Sequence, residues 1–291
     1  MKILRYLYVI LIFSKLIFGQ SIVIGEGSSI EVGAGADFCA GVYGNITGNL
    51  FGSGTQCGED TLHTFQILVK FFLEGPYSVD SMTTSLNTSG YIPLDQPFNT
   101  SPWNYTGTES VASIPLGVVD WTLIELRSTI TTVVARRATF IKSDGSLVDL
   151  NGTSKLSFAD VPLGNYYVVI YHRNHLAVMT ANTVALSNSP TLYDLTISQT
   201  QAYGTNPMKN LSAGVFGLYA ADTDGSGIVN AADRSNAWNH RNLSGYYGTD
   251  VDLSGTVNAA DRSVIWNNRN INTQVPASTH KLSQVKISGD N

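Results

Sequence analysis

Apolar and polar positions alternate with a period near two through most of this chain, and a helical period shows only twice, near the C-terminus. Thr64–Leu73 is a strand closed by a Gly75-Pro76 turn. Val118–Arg127 is another, with Val119, Trp121 and Leu123 on one face and Asp120, Thr122, Ile124 and Leu126 on the other. Thr131–Lys142 ends in the hairpin turn Ser143-Asp144-Gly145. Leu147–Leu150, Leu156–Phe158, Asn165–Tyr171, Leu176–Thr180, Val184–Leu186 and Tyr193–Ile197 complete the set. Residues 78–115 have little periodicity and many Ser, Thr, Pro and Asn. They read as a long loop that lays Tyr91, Ile92, Pro93, Phe98, Trp103 and Tyr105 on the sheet. Many short strands with almost no helix predict a mainly β fold, with a β-sandwich over residues 62–200.

Ahead of it, residues 21–61 hold short β runs between glycines, too little to fold alone. The chain has 2 cysteines, Cys39 and Cys57, both in this segment. Two thiols so close in an oxidising compartment are expected to form a disulfide, closing a loop of about 19 residues and contributing about 3 kcal/mol. Lys2 and Arg5 precede the apolar run Tyr6–Phe13, which is too short to span a bilayer. Residues 1–20 therefore read as a signal peptide cleaved near Gly19–Ser21, which makes the protein secreted or cell-surface, with no membrane span after cleavage. Composition agrees. Charged residues are 13% of 291 and the net charge is −5, and with no basic patch nucleic acid is not an expected partner.

The chemistry concentrates in a tandem repeat. Residues 222–242 and 250–270 match at 15 of 21 positions with an offset of 28. Calcium takes six to eight oxygens, and a 12-residue loop supplies them from positions 1, 3, 5, 7, 9 and 12. Those positions hold Asp222, Asp224, Ser226, the carbonyl of Ile228, Asn230 and Asp233. In the second copy they hold Asp250, Asp252, Ser254, the carbonyl of Thr256, Asn258 and Asp261. Gly227 and Gly255 fall at position 6, where the chain must turn sharply. Two calcium ions are expected. The plainer reading is a pair of Asx-turn loops capping two helices.

The loops depart from an EF-hand, because position 12 is Asp and no helix enters the loop. Helix runs out of each only, over Ala231–Arg241 and Ala259–Arg269. With Val at position 8, Asn at 9 and Asp at 12, this loop-then-helix pair over residues 217–271 resembles a type I dockerin. The resemblance implies a small module that binds two calcium ions and docks onto a cohesin in polysaccharide-degrading assemblies. The match departs where such helices carry a leucine-rich face. Here they carry Arg234, Trp238 and Arg241, repeated as Arg262, Trp266 and Arg269 at spacings i, i+4, i+7. Each Trp reads as the small core of the pair with arginines along its ring, and the same stripe is the candidate partner face.

A second resemblance lies in the sandwich. Phe158, Val161, Pro162, Gly164 and Tyr166 are similar to the "F-x-x-V-P-x-G-x-Y" signature of transthyretin-like and Cna-B-like modules, in which the Tyr opens a central strand. It bears on fold and not on activity. His172 and His175, three apart on a strand, face opposite sides unless the chain turns at Asn174. Glu74, Asp120, Glu125 and Asp160 are the carboxylates a glycosidase could use, but their spacing selects no pair. Asp120 and Glu125 are expected to pair with Arg127, Arg136 or Arg137.

Residues 201–216 read as a linker and 272–291 as a polar tail. The expectation is a secreted, non-catalytic calcium-binding protein with a module for attachment or assembly, linked to polysaccharide breakdown. Its partner would be a cohesin-like or other surface protein, or a polysaccharide. The alternatives are a carbohydrate-binding or adhesive protein working through Trp103, Tyr105 and Trp121, and a divergent glycoside hydrolase.

Overall fold

The computed structural model describes residues 64–278 apart from Asp160 and, ahead of them, four short strands by their backbone alone. The chain divides between Thr61 and Leu62 into two compact units. In the first, β1 (Ile30–Glu31), β2 (Asp37–Cys39), β3 (Leu50–Phe51) and β4 (Thr55–Cys57) pair in parallel, β1 with β3 and β2 with β4. The register sets Cys39 opposite Cys57. Their side chains, and so the expected disulfide, lie outside the described residues, as do the signal segment and the end of the tail.

The second unit opens with β5 (Phe65–Lys70), whose pattern is the one its alternation implies: Phe65, Ile67 and Val69 are buried, while Gln66, Leu68 and Lys70 are half-buried. A small hairpin, β6 (Tyr77–Ser78) and β7 (Ser81–Met82), and a turn of helix, α1 (Ser85–Thr88), break up the stretch read as loop. Then come β8 (Val118–Arg127), β9 (Val133–Lys142), β10 (Leu147–Val148), β11 (Leu156–Phe158), β12 (Gly164–His172), β13 (His175–Met179), β14 (Val184–Leu186) and β15 (Leu192–Asp194). One sheet has the order β10-β9-β8-β12-β13, with β14 beside the start of β12. The other is β11-β5-β15, with β15 parallel to β5. The two sheets share one core, in which Ile67 and Val69 belong with Trp121, Val168 and Ile170.

β8 is paired along both edges and buried over all ten residues. Its polar residues Asp120, Thr122, Glu125 and Arg127 therefore have to find partners inside the protein. Trp121 is wholly buried and donates its indole N–H to the Pro93 carbonyl at 2.8 Å. Trp103 meets Phe98 edge-on at 5.3 Å, and Tyr105 donates to Glu109 Oε1 at 2.5 Å. The aromatic trio considered as a sugar surface thus packs the sandwich, and only Trp103 and Tyr105 are partly open. Tyr166 opens the central strand β12, buried beside Phe158 and Val161, with its hydroxyl donating to the Pro162 carbonyl at 2.9 Å.

The strand expected through Ile197 ends at Asp194, whose side chain accepts from the Thr196 amide at 2.8 Å and caps a single 3-10 turn. The 201–216 stretch is built into the fold. Met208 is buried, β16 (Lys209–Ser212) and β17 (Val215–Gly217) form a hairpin, and Leu211, Val215 and Phe216 pack on the main core. Backbone bonds Leu218 N–H to Phe72 O (2.8 Å) and Glu74 N–H to Leu218 O (3.0 Å) tie it to the end of the β5 segment. Two helices follow, α2 (Ala231–Asn239) and α3 (Ala259–Asn267), each two residues shorter than expected. The chain leaves each helix through an Asn in the left-handed region, Asn242 at φ 67° and Asn270 at φ 66°.

Candidate metal centre

Both loops are shaped from within by their own side chains. Asn230 caps α2 by accepting from the Ala232 amide at 2.7 Å, and the Asp233 carboxylate returns to the Asn230 N–H at 2.7 Å. Asn258 and Asp261 repeat this at the head of α3, again at 2.7 Å each. Each is a capping box with Asp in the third position, so loop positions 9 and 12 also start a helix. Gly227 and Gly255 adopt φ 81° and 89°, a region a side chain disfavours.

Three of the six oxygens foreseen for each loop, those of the aspartates, converge, whereas the Asn230 and Asn258 side-chain oxygens face the helix amides. One carboxylate oxygen from each of Asp222, Asp224 and Asp233 lies within 4.8 Å of the others, and Asp250, Asp252 and Asp261 do the same. The Ser226 hydroxyl is 3.4 Å from Asp222 Oδ1 and 3.2 Å from the Ile228 carbonyl, which also lies 3.3 Å from the Asn230 amide. In the second loop Ser254 stands 3.4 Å from Asp250 Oδ1 and 3.3 Å from the Thr256 carbonyl, with Asn258 at 3.1 Å from that carbonyl. A set of hard oxygens with three carboxylates suits a divalent cation of the calcium type.

The electrostatics point the same way. Burial pushes the Asp222 carboxyl up to about 7, against bonds from the Gly227 and Ser226 amides, and the charges of Asp233 and Asp224 add to the rise. Burial likewise raises Asp250 to about 7, and burial raises Asp261, where Asp252 adds like charge. These carboxylates repel one another unless a cation or a proton sits among them.

The two halves hold each other reciprocally. Val229, at position 8 of the first loop, donates to Ile271 O (2.9 Å) and accepts from Asn270 N–H (2.8 Å), just past α3. Val257 in the second loop donates to Leu243 O (2.9 Å) and accepts from Asn242 N–H (2.7 Å), just past α2. Position 8 was visible as Val in both copies, but its backbone role was not.

The sandwich grips this pair through the turn between β12 and β13. His172 and His175 were expected to face opposite ways unless the chain turned at Asn174, and it does turn there. The turn at Arg173-Asn174 sets them across from each other, with Nδ1 atoms 3.1 Å apart and rings edge-to-face. Gly75 N–H donates to His175 Nε2 at 3.2 Å, so in the neutral ring the proton sits on Nδ1, between His172 Nδ1 and Asn174 Oδ1. Burial lowers both histidines, His175 the further because His172 and Arg173 press on it. Asn174 donates to the Asp250 carbonyl at 2.8 Å and accepts from Ala221 N–H at 2.8 Å, so it contacts both loops at their first turn.

Asp120 anchors the same junction. It accepts from Arg173 Nε (2.8 Å) and Tyr246 OH (2.6 Å) and lies 3.3 Å from His172 Nε2. Burial pushes its carboxyl up, but Arg173, His172 and Tyr246 outweigh that and hold it at about 2. Asp120 thus pairs with Arg173 rather than with the arginines expected. Glu125 does pair as foreseen, with Arg127 (2.6 Å) and Arg136 (2.5 Å). Glu74 accepts from Ala220 N–H (3.0 Å) and Asn268 Nδ2 (2.5 Å) and pairs with Lys209 (3.0 Å). None of the three carboxylates stands free for acid–base work. A Cβ on Gly75 would run into the Val251 carbonyl, which shows how closely the turn meets the second loop.

The outer face of the helices departs from expectation. The small core of the pair is Ala237, Ile265, Val229, Val251, Ala220 and Ala221 with Leu176 from the sandwich. Trp238 and Trp266 are 55% and 51% exposed. Asp233 and Ala237, and Asp261 and Ile265, point inward at i and i+4, which turns the next residue, the Trp, about 100° away from the core. Arginines do lie over the rings. Arg241 is 4.8 Å and Arg262 5.5 Å from the Trp238 centroid, and Arg269 is 4.4 Å and Arg234 5.9 Å from that of Trp266.

No protein-family model matches the sequence, and no curated protein matches it significantly. Among the solved structures that resemble the chain are an N-terminal-interface mutant and a C-terminal-interface mutant of a type II cohesin–X–dockerin complex from Acetivibrio cellulolyticus. Each is 14% identical over 71% of this chain and 97% of the other, with TM-scores of 0.36 and 0.35. At that similarity neither the fold nor the partner of those complexes carries over. No helix among the described residues is long and apolar enough to cross a membrane.

Proposed function

We propose that this is a secreted, non-catalytic protein that binds two calcium ions through Asp222–Asp233 and Asp250–Asp261, and that the part they stabilise serves attachment or assembly in polysaccharide breakdown. The observation that carries the calcium reading is the double convergence of three carboxylates within 4.8 Å, each with a Ser hydroxyl and a carbonyl oxygen beside it. Bound calcium supplies the positive charge that lets the buried aspartates ionise together. The attachment role rests on the dockerin-like spacing of the repeat. The non-catalytic reading is supported by Asp120 and Glu125, both committed to buried ion pairs.

Calorimetric titration of the whole secreted chain with calcium tests this. Two sites are expected, and Asp222→Ala and Asp250→Ala should each remove one. Absence of any binding up to about millimolar calcium would make the loops helix caps only. Capture by a cohesin module that chelation reverses would support a protein partner.

A further inference from the structure

We propose that the α2–α3 face is a binding site for acidic polysaccharides, glycans whose rings carry uronate carboxylates. The first observation is a division among the arginines. Arg127, Arg136, Arg137 and Arg173 each pair with a carboxylate, whereas Arg234, Arg241, Arg262 and Arg269 form no ion pair among the described residues. All four unpaired guanidiniums lie over two half-exposed indoles. A protein of net charge −5 has thus gathered four free positive charges in one place.

Helix stability explains only half of them. Arg241 and Arg269 donate to the Trp238 and Trp266 carbonyls (2.9 and 2.7 Å) near the helix C-termini, where a cation is favoured. Arg234 and Arg262 sit in the first turns, where the helix dipole disfavours a cation. Each reaches across to the other helix's Trp, which gives two equivalent half-sites.

The lining selects the ligand. A shallow cleft of about 490 Å³ is bordered by Arg234, Ser235, Trp238, Asn239, Arg262 and Trp266, with no aliphatic side chain. Trp and Arg also anchor protein interfaces, but there they sit in an otherwise apolar centre, and this cleft has no aliphatic side chain to supply one. Single-stranded nucleic acid needs a basic groove that follows its backbone, and here the charge is one patch. A sugar ring has an apolar C–H face for an indole and hydroxyls for Ser235 and Asn239. Its carboxylate suits the guanidinium fork, which also stacks on aromatics as lysine does not. Uronates repeated along a glycan would engage both half-sites.

This goes beyond the calcium reading and depends on it only for the folding of the helices, which circular dichroism reports separately. Calcium-saturated full-length protein is titrated, by tryptophan fluorescence and calorimetry, with galacturonate, glucuronate-containing and alginate hexasaccharides. Each is run beside its carboxyl-reduced form, and polyglutamate and oligo-dT complete the set. At least one acidic glycan should bind with Kd below about 1 mM and at least about tenfold tighter than its reduced form. Trp238→Ala with Trp266→Ala should abolish binding. Should that variant lose helix, Arg234→Gln with Arg262→Gln serves, and about tenfold weakening with unchanged calcium binding is expected. The proposal is overturned if no acidic glycan binds, if reduced forms bind equally well, if either set of variants folds and binds as the parent does, or if polyglutamate or oligo-dT binds as tightly.

Discussion

The sandwich and the helix pair use arginine and tryptophan in opposite ways. In the sandwich, Trp121 is sealed in the core and Arg127, 1% exposed, is locked to Glu125 and Tyr171. On the helices, Trp238 and Trp266 are half in water, all four arginines lie over their rings, and Arg241, Arg262 and Arg269 donate to backbone carbonyls. A buried guanidinium must carry its counter-ion with it, so β8 supplies Glu125. A solvated one needs none, and keeps its hydrogen-bonding capacity for a ligand.

Two paired comparisons would break or sharpen that contrast. Glu125→Ala leaves Arg127 buried without its partner and should cost about 3–5 kcal/mol in urea unfolding. Arg234→Ala with Arg262→Ala should stay within about 0.5 kcal/mol per site. Equal effects would end the distinction. Trp121→Ala should likewise lose about 3–5 kcal/mol. Trp238→Ala should stay within about 0.5 kcal/mol, and a larger loss would return that ring to a core role.

A further effect is one of pH. Asp222 and Asp250, raised to about 7, hold a proton more tightly folded than unfolded. Their contribution to the calcium-free protein is complete below the ordinary aspartate value of about 3.9 and is lost as pH climbs through about 7. The melting temperature without calcium should therefore fall across that window, and saturating calcium should flatten the curve. Parallel curves with and without calcium would separate the carboxylates from the ion.

Much of this was legible because it is written locally. The limits of Val118–Arg127 followed from the sequence pattern, the reading of Thr64–Leu73 overran Phe65–Lys70 by one residue at its start and three at its end, and the helices begin where expected, after Asn230 and Asn258. What escaped depends on contacts between elements. A turn at Asn174 was an open alternative in the sequence, but nothing near it signals that the turn reaches Asp250 and Ala221. The hairpin at 209–217 looks like a spacer because its apolar residues are few and their partners lie far off in the chain. The tryptophans were read as the small core of the pair, with a partner face as the other reading, yet one step of a helix decides the direction, and alanine and isoleucine hold the inward positions.

The exchange of backbone bonds between Val229 and the end of α3, and between Val257 and the end of α2, has an evolutionary reading. Each 28-residue copy is half of an object whose missing half is itself. One copy alone would leave the Val229 amide and carbonyl unmatched, and the surface that fits them would be a second molecule of the same peptide. The present arrangement has the form of a homodimer written into one chain, and its two halves meet at a fixed effective concentration however dilute the protein becomes.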